Sequence, residues 1–200
     1  SMGYHAVITG ASAGIGAALA LELASRGYSV GLIARREEKL EEVAAQVREA
    51  GGQAAIAAAD VRDAEAMRAA VESLEAELGP AEVLVANAGV IAIQKEERFD
   101  PEVYDRVLGV NVMGVVNSVG AVLPGMLERQ RGHLVAISSV AGFRGLPTWP
   151  AYSASKAAVS TMFESLRVEL RPKGVYVTTV QPGFVATELT AKNKNPMPFL

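Results

Sequence analysis

Tyr152-Ser153-Ala154-Ser155-Lys156 sets a phenol and an ammonium four residues apart, a spacing that puts both on one face of a helix. A nearby positive charge favours ionisation of a phenol whose ordinary pKa is about 10, so the pair reads as an acid/base able to exchange a proton with an alcohol near neutral pH. As an isolated surface pair, Tyr-x-x-x-Lys is common and says little. Its company is what matters. Ser139 stands thirteen residues before Tyr152, in Ile137-Ser138-Ser139, and Thr9-Gly10-Ala11-Ser12-Ala13-Gly14-Ile15-Gly16 lies near the start of the chain. Together these point to a nucleotide-dependent redox enzyme.

The elements that must position these groups are legible as an alternation. Short apolar runs at 6–9, 29–34, 54–58, 82–86, 134–138 and 175–180 are separated by amphipathic helical patterns at 15–26, 37–50, 64–78, 101–130 and 151–171. Strands that are apolar on both faces, alternating with helices, predict a parallel sheet covered on both sides. Gly27, Gly51-Gly52, Gly79-Pro80, Gly132 and Gly174 are each expected to close a helix. No internal repeat, low-complexity segment or linker divides the chain, and residues 3–200 are expected to form a single dinucleotide-binding domain that includes the catalytic site.

The first strand–helix turn carries Gly10, Gly14 and Gly16, with Ser12, Ala13 and Ile15 between them. Glycine permits unusual φ and lets the backbone approach a pyrophosphate, and the helix that follows offers free N–H groups and the positive end of its dipole. The end of the second strand selects the dinucleotide. An acidic residue there would bond the ribose hydroxyls of NAD, but this chain has Ala34-Arg35-Arg36. Two guanidinium groups suit a 2′-phosphate, so NADP is expected over NAD. The alternative is a basic pair on a solvated helix start, partly cancelled by Glu37 and Glu38. A basic residue in place of Ala13 would have strengthened the NADP reading. Asp60-Val61 and Asn87-Ala88-Gly89 follow the third and fourth strands, at the carboxyl edge where open α/β sheets bind ligands.

Composition narrows the remaining classes. Two hundred residues, half of them hydrophobic and a fifth charged, suit one domain with a sizeable core, and a net charge of −3 gives no reason to expect nucleic acid or an anionic membrane as a partner. The absence of cysteine excludes thiolate catalysis and cysteine metal sites, and it agrees with a reducing, cytoplasmic location. No apolar run is read as a membrane span. Only two histidines exist, His5 and His133, and both precede strands. That places them at the opposite edge of the sheet from the strand ends, which argues against a serine triad and against a histidine metal site; no metal is expected.

Taken in order, these motifs resemble the classical short-chain dehydrogenase/reductase family. The resemblance runs from about residue 5 to residue 190 and rests on Thr9-Gly10…Gly14-Ile15-Gly16, Asp60-Val61, Asn87-Ala88-Gly89, Asn111, Ser139, Tyr152…Lys156 and Pro182-Gly183…Thr187. It implies a doubly wound Rossmann-type sheet of about six strands, ordered 3-2-1-4-5-6, with the strand at 175–180 on an open edge. It implies Tyr152 as general acid for reduction and base for oxidation, with Lys156 lowering the phenol's pKa and holding the nicotinamide ribose. Ser139, rather than its neighbour Ser138, would bond the substrate oxygen. Asn111 would hold a water that joins Lys156 to solvent, whereas Asn117 reads as structural. Pro182, Gly183, Val185 and Thr187 would border the nicotinamide. Relatives of this kind dimerise through the two helices at 101–130 and 151–171, so a homodimer is expected, with Gly109, Val110, Gly114, Val115 and Ser118 permitting close approach. A homotetramer is the less expected assembly.

Such relatives continue a few tens of residues past the position of Leu200. The expectation is therefore that a substrate-covering segment and a last strand are missing, either by truncation or because this is a short natural member. The leading reading is an NADP(H)-dependent oxidoreductase interconverting a secondary alcohol and a ketone or aldehyde. The alternative is a catalytically weak NADP-binding or regulatory protein. Candidate pocket walls at 90–93, Phe143, Arg144, Leu146, Trp149, Phe184 and 197–200 are mostly apolar, which favours a medium-sized carbonyl compound or alcohol over a phosphorylated sugar.

Overall fold

The computed structural model describes residues 4–94 and 99–182. Six strands, β1 (His5–Thr9), β2 (Ser29–Ala34), β3 (Gln53–Ala58), β4 (Ala81–Ala86), β5 (Gly132–Ile137) and β6 (Val175–Val180), form one sheet in the order β3-β2-β1-β4-β5-β6. Every neighbouring pair is parallel. The order reverses direction between β1 and β4, which opens a crevice at the carboxyl ends of the strands. The expected topology is therefore present, and β6 lies at the sheet edge opposite β3.

Two layers of helix cover the sheet because its strands are apolar on both faces. On one side α1 (Gly14–Ser25) and α2 (Glu37–Glu49) close a core that includes Ile8, Ala20, Val30, Leu32, Leu40 and Val47. On the other side α3 (Ala64–Leu78), α5 (Gly114–Arg129) and α6 (Pro150–Leu170) enclose Val7, Ile33, Met67, Leu84, Leu134 and Phe163. The apolar spacing along α3, with Met67, Ala70, Val71 and Leu74 buried, is the i, i+3, i+4, i+7 stripe of a helix lying on a sheet.

Three expectations need correction. The helical stretch at 101–130 is interrupted: α4 (Pro101–Leu108) runs into a π-helical turn over Gly109–Met113 before α5 begins. An inserted π turn shifts the helix face without altering the apolar pattern enough to show in sequence. Gly132 does not close this helix. Gln130 does, in the left-handed conformation at φ 51 and ψ 36, while Gly132 is the first residue of β5. Glycine is required at 132 for a different reason, since a Cβ there would overlap the Met126 side chain. Finally, the helical run Pro101–Arg129 is long and apolar enough to cross a membrane by length and composition. In the fold it packs on β4, β5 and α3 along one side and presents Met113 and Val116 on another, which is why it is apolar around so much of its circumference.

Candidate functional site

Thr9 ends β1, and the chain turns through Gly10 at φ +62 and Gly14 at φ +55 before α1. Both values lie in the left-handed region, which glycine enters without steric cost. The glycines then serve different purposes. A Cβ on Gly10 would come within 2.8 Å of the Ala88 Cα, and one on Gly16 would overlap the Gly10 carbonyl oxygen and lie 2.6 Å from Asn87 Nδ2. These two let the β1 and β4 turns pack against each other. Gly14, by contrast, faces open space. Asn87 Nδ2 donates to the Gly10 carbonyl at 3.3 Å, and the Thr9 hydroxyl oxygen accepts from both Asn87 N and Ala88 N.

The N-terminus of α1 is bare. Its N-cap, Ala13, makes no side-chain cap bond and no acidic residue stands in the first turn, whereas α3 is capped by Asp63 and α4 by Asp100. Free N–H groups beside an open glycine are the chemistry a pyrophosphate needs. A cavity of about 400 Å³ opens here, lined by Gly10, Ser12, Ala13, Gly14 and Ile15 from the first turn, Arg35 and Arg36 after β2, Asp60 and Val61 after β3, and Asn87, Ala88 and Gly89 after β4. The sequence-predicted residues of four separate strand ends are thus brought to one cleft. Arg35 and Arg36 are exposed, and among the described residues neither enters an ion pair. Asp60 is gripped by Arg62, whose Nη2 donates to Oδ2 at 2.7 Å and whose Nε reaches both oxygens. That hydrogen bonding outweighs partial burial and holds the Asp60 carboxyl below its ordinary pKa, with Arg35 adding attraction.

Beyond Gly89 the cleft meets the second group of residues. The Tyr152 phenol shares a hydrogen bond with Ser139, and Ser139 Oγ also accepts from Ala141 N at 3.2 Å, so it caps the short turn after β5. Ser138 faces the other way: its hydroxyl donates to the Lys156 carbonyl at 3.1 Å and pairs with Ser160, tying β5 to α6. Lys156 is buried, its Nζ donating to the Ile137 carbonyl at 3.1 Å and lying 5.6 Å from the centroid of the Tyr152 ring. A Cβ on Gly89 would stand 3.6 Å from that nitrogen, which marks how near the ammonium is to the cofactor-sized cleft.

Burial pushes the Tyr152 phenol above its ordinary pKa, opposed by the hydrogen bond with Ser139. Burial also pulls the pKa of the Lys156 ammonium down to about 8. Asn111 is wholly buried within the π turn. Its Oδ1 accepts from Val90 N at 2.8 Å, and its Nδ2 donates to the Val90 carbonyl at 2.9 Å and to Ser155 Oγ at 3.0 Å. Both amide hydrogens are thus spent on clamping the loop after β4 to α6. Asn117 donates to the Val61 carbonyl at 2.9 Å, in keeping with a structural role.

Thr9, Arg62, Val90 and Ser155 hold these site residues in place; sequence reasoning gave Thr9, Arg62 and Ser155 no separate task and read Val90 only as a pocket wall. Thr9 and Ser155 lie inside the quoted motifs, so the signal was present. Arg62 and Val90 act through partners that only the fold reveals. Trp149, expected in the pocket wall, is instead 6% exposed and meets the Tyr152 ring edge to face. His5 and His133 lie on β1 and β5 at the far edge, each with its pKa lowered by burial. Pro182 is described and its carbonyl accepts from Val140 N at 3.3 Å; Gly183, Phe184, Val185, Thr187 and 197–200 lie outside the described residues. Among the described residues no group of His, Cys, Asp and Glu could hold a metal ion.

A doubly wound sheet with a bare helix N-terminus and a glycine turn at its switch point defines an NAD(P)-binding oxidoreductase fold. The chain belongs to the short chain dehydrogenase family, whose description matches residues 4–197. It is 48% identical over 200 residues to an uncharacterized oxidoreductase of Myxococcus xanthus, covering all of this chain and 79% of that one. It superposes with a TM-score of 0.90 on a short chain dehydrogenase/reductase from Burkholderia phymatum in complex with NAD, at 34% identity, covering 94% of this chain and 68% of that one. A single-substitution variant of actinorhodin polyketide ketoreductase with NADPH matches with a TM-score of 0.91 at 36% identity, covering 94% and 73%. Against two further relatives the chain spans 62% and 15% of their length.

Proposed function

We propose that the protein is an NADP(H)-dependent oxidoreductase interconverting a secondary alcohol and a ketone or aldehyde, with Tyr152 as general acid and base. The observation that carries this reading is the meeting of Ser139, Tyr152 and Lys156 at the end of the cleft that begins at Arg35 and Arg36. The nicotinamide group, when bound, gives or takes the hydride. Gly10, Ser12, Ala13, Gly14, Ile15 and Gly16 would receive the pyrophosphate, the two arginines a 2′-phosphate, and Asp60, Val61 and Asn87–Gly89 the adenosine and its neighbours. NADPH and NAD complexes both occur among the solved relatives, so the preference for NADP rests on Arg35 and Arg36 alone.

For reduction, Ser139 holds the carbonyl oxygen and Tyr152 gives it a proton as negative charge develops there. A phenol whose pKa is raised by burial is protonated at neutral pH, the state an acid needs. Lys156 lies close enough to favour tyrosinate once the proton has left. The exposed side chains Ile93, Val140 and Phe143 near this end favour an apolar substrate. For assembly, the small residues Gly114, Val115 and Ser118 are buried within the chain, Gly114 against Val61, and do not form the close-approach surface expected of them. The exposed Met113 at the end of the π turn, Val116 on α5 and Val168 on α6 are better placed to meet a second copy, and we favour a homodimer in the cytoplasm.

The test pairs NADPH affinity with turnover on a panel of apolar ketones. Tyr152→Phe should keep NADPH affinity and lose about 10²–10⁴-fold in turnover, the usual contribution of general acid–base catalysis. A Tyr152→Phe protein with most of its turnover would remove Tyr152 from the chemistry.

A further inference from the structure

We infer that Trp149 is a positioning residue for Tyr152: the loop before α6 holds the indole against the phenol ring and so fixes where the proton is delivered. The inference rests on the proposed role of Tyr152. Tyr152 lies in the first turn of α6, where a helix is least restrained by its own hydrogen bonds, and a phenol on two rotatable bonds needs a neighbour to define its place. Trp149 supplies one. Its ring centroid is 5.7 Å from that of Tyr152 with an interplanar angle of 88°, an edge-to-face arrangement, and at 6% exposure it has little surface left for a substrate.

The backbone around Trp149 is built to keep it there. Trp149 N donates to the Leu146 carbonyl at 3.1 Å, and the Trp149 carbonyl accepts from Ser153 N at 2.9 Å. Ser153 Oγ in turn accepts from Leu146 N at 3.1 Å, so residues 146–153 form a closed loop around the helix start. The residue before Trp149 is under strain: Thr148 sits at φ 66, a left-handed conformation that β-branched residues avoid. Its carbonyl accepts from Gln94 N at 2.9 Å, which joins the loop to the segment after β4. That segment also carries Gly89 and Val90, which line the nucleotide cleft. The strained turn thus ties the acid/base to the cofactor side of the site through two hydrogen-bonded loops and one aromatic contact.

The experiment compares Trp149→Leu, Trp149→Phe, Thr148→Gly and Tyr152→Phe in kcat, NADPH affinity and the pH profile of kcat. Trp149→Leu should lose about tenfold to a hundredfold in kcat, the scale of a misplaced catalytic group, with NADPH affinity unchanged. Its alkaline limb should move down, because water reaching Tyr152 removes part of the burial that raises its pKa. Trp149→Phe keeps an aromatic edge and should recover most of the loss. Thr148→Gly suits the backbone at 148, so it folds even where Trp149→Leu does not, and by loosening the turn it should lower kcat without changing NADPH affinity. The inference is overturned if Trp149→Leu and Thr148→Gly keep the wild-type kcat and pH profile, or if they lose NADPH affinity along with kcat. If Tyr152→Phe itself retains turnover, the proposed chemistry is what fails.

Discussion

Lys156 enters the folded state 6% exposed, its ammonium donating to the Ile137 carbonyl and its pKa lowered by burial to about 8. Its folded pKa lies below its ordinary value, so between about 8 and 10.5 the unfolded chain binds more protons at this residue than the folded one. The cost of burying the charge is full below that interval and is relieved as pH rises through it. The stability of wild type minus that of Lys156→Met, read by chemical denaturation, should therefore rise with pH across the interval; a flat or falling difference contradicts the burial account. The same lysine is expected to matter for turnover, so Lys156→Met should be a more stable and less active protein near neutrality. At Arg35 the expectation is about specificity. Arg35→Asp should weaken NADPH binding by roughly tenfold or more, the worth of a charge-assisted hydrogen bond, and NADH binding much less. Equal losses for both cofactors, measured by fluorescence titration, would dissociate Arg35 from the 2′-phosphate. Residue types and spacing pointed to Tyr152 and Lys156, and the family resemblance added Ser139. Neither could say that Ser138 bonds the Lys156 carbonyl or that Asn111 clamps Val90, because each depends on a partner distant in sequence.

At the scale of elements, the turn between β1 and α1 makes the sharpest demand. Gly16→Ala would place a methyl against the Gly10 backbone carbonyl and the Asn87 side-chain amide, whereas Gly14→Ala would meet no atom and bear only the cost of its φ, about 1–2 kcal/mol. Gly16→Ala should therefore lose more stability and more cofactor affinity than Gly14→Ala. The reverse order in a denaturation and NADPH-binding series would mean that the two turns do not pack as described. Strand and helix positions were legible because period and turn chemistry agree along most of the chain, as in α3 with its buried stripe, its Asp63 cap and Gly79 at its end. The π turn at Gly109–Met113, which holds the buried Asn111, was not, since no break in the apolar pattern marks it. Gly132 misled for a related reason: its glycine answers to Met126, and Gln130 takes the left-handed position that glycine usually fills.

Across the whole molecule, strand–helix alternation was enough to predict a covered parallel sheet, while its order, which the structure bears out, came from the family resemblance. Assembly was harder to read, because a helix buried on one side and apolar on another looks much the same in sequence as one buried all round. The exposed Met113, Val116 and Val168 predict a dimer at micromolar concentration, checked by light scattering, and Met113→Glu with Val116→Glu should yield monomer. Wild type that is monomeric at that concentration contradicts the surface assigned to it. The central claim, that this chain moves hydride between NADP(H) and a carbonyl carbon with Tyr152 supplying the proton, is tested most directly by following deuterium. With NADPH deuterated at the transferring carbon and an apolar ketone, wild type should yield alcohol labelled at the carbinol carbon, faster than with deuterated NADH, and Tyr152→Phe should yield almost none. Alcohol that forms without the label, no alcohol at all, or equal labelling by Tyr152→Phe would contradict it.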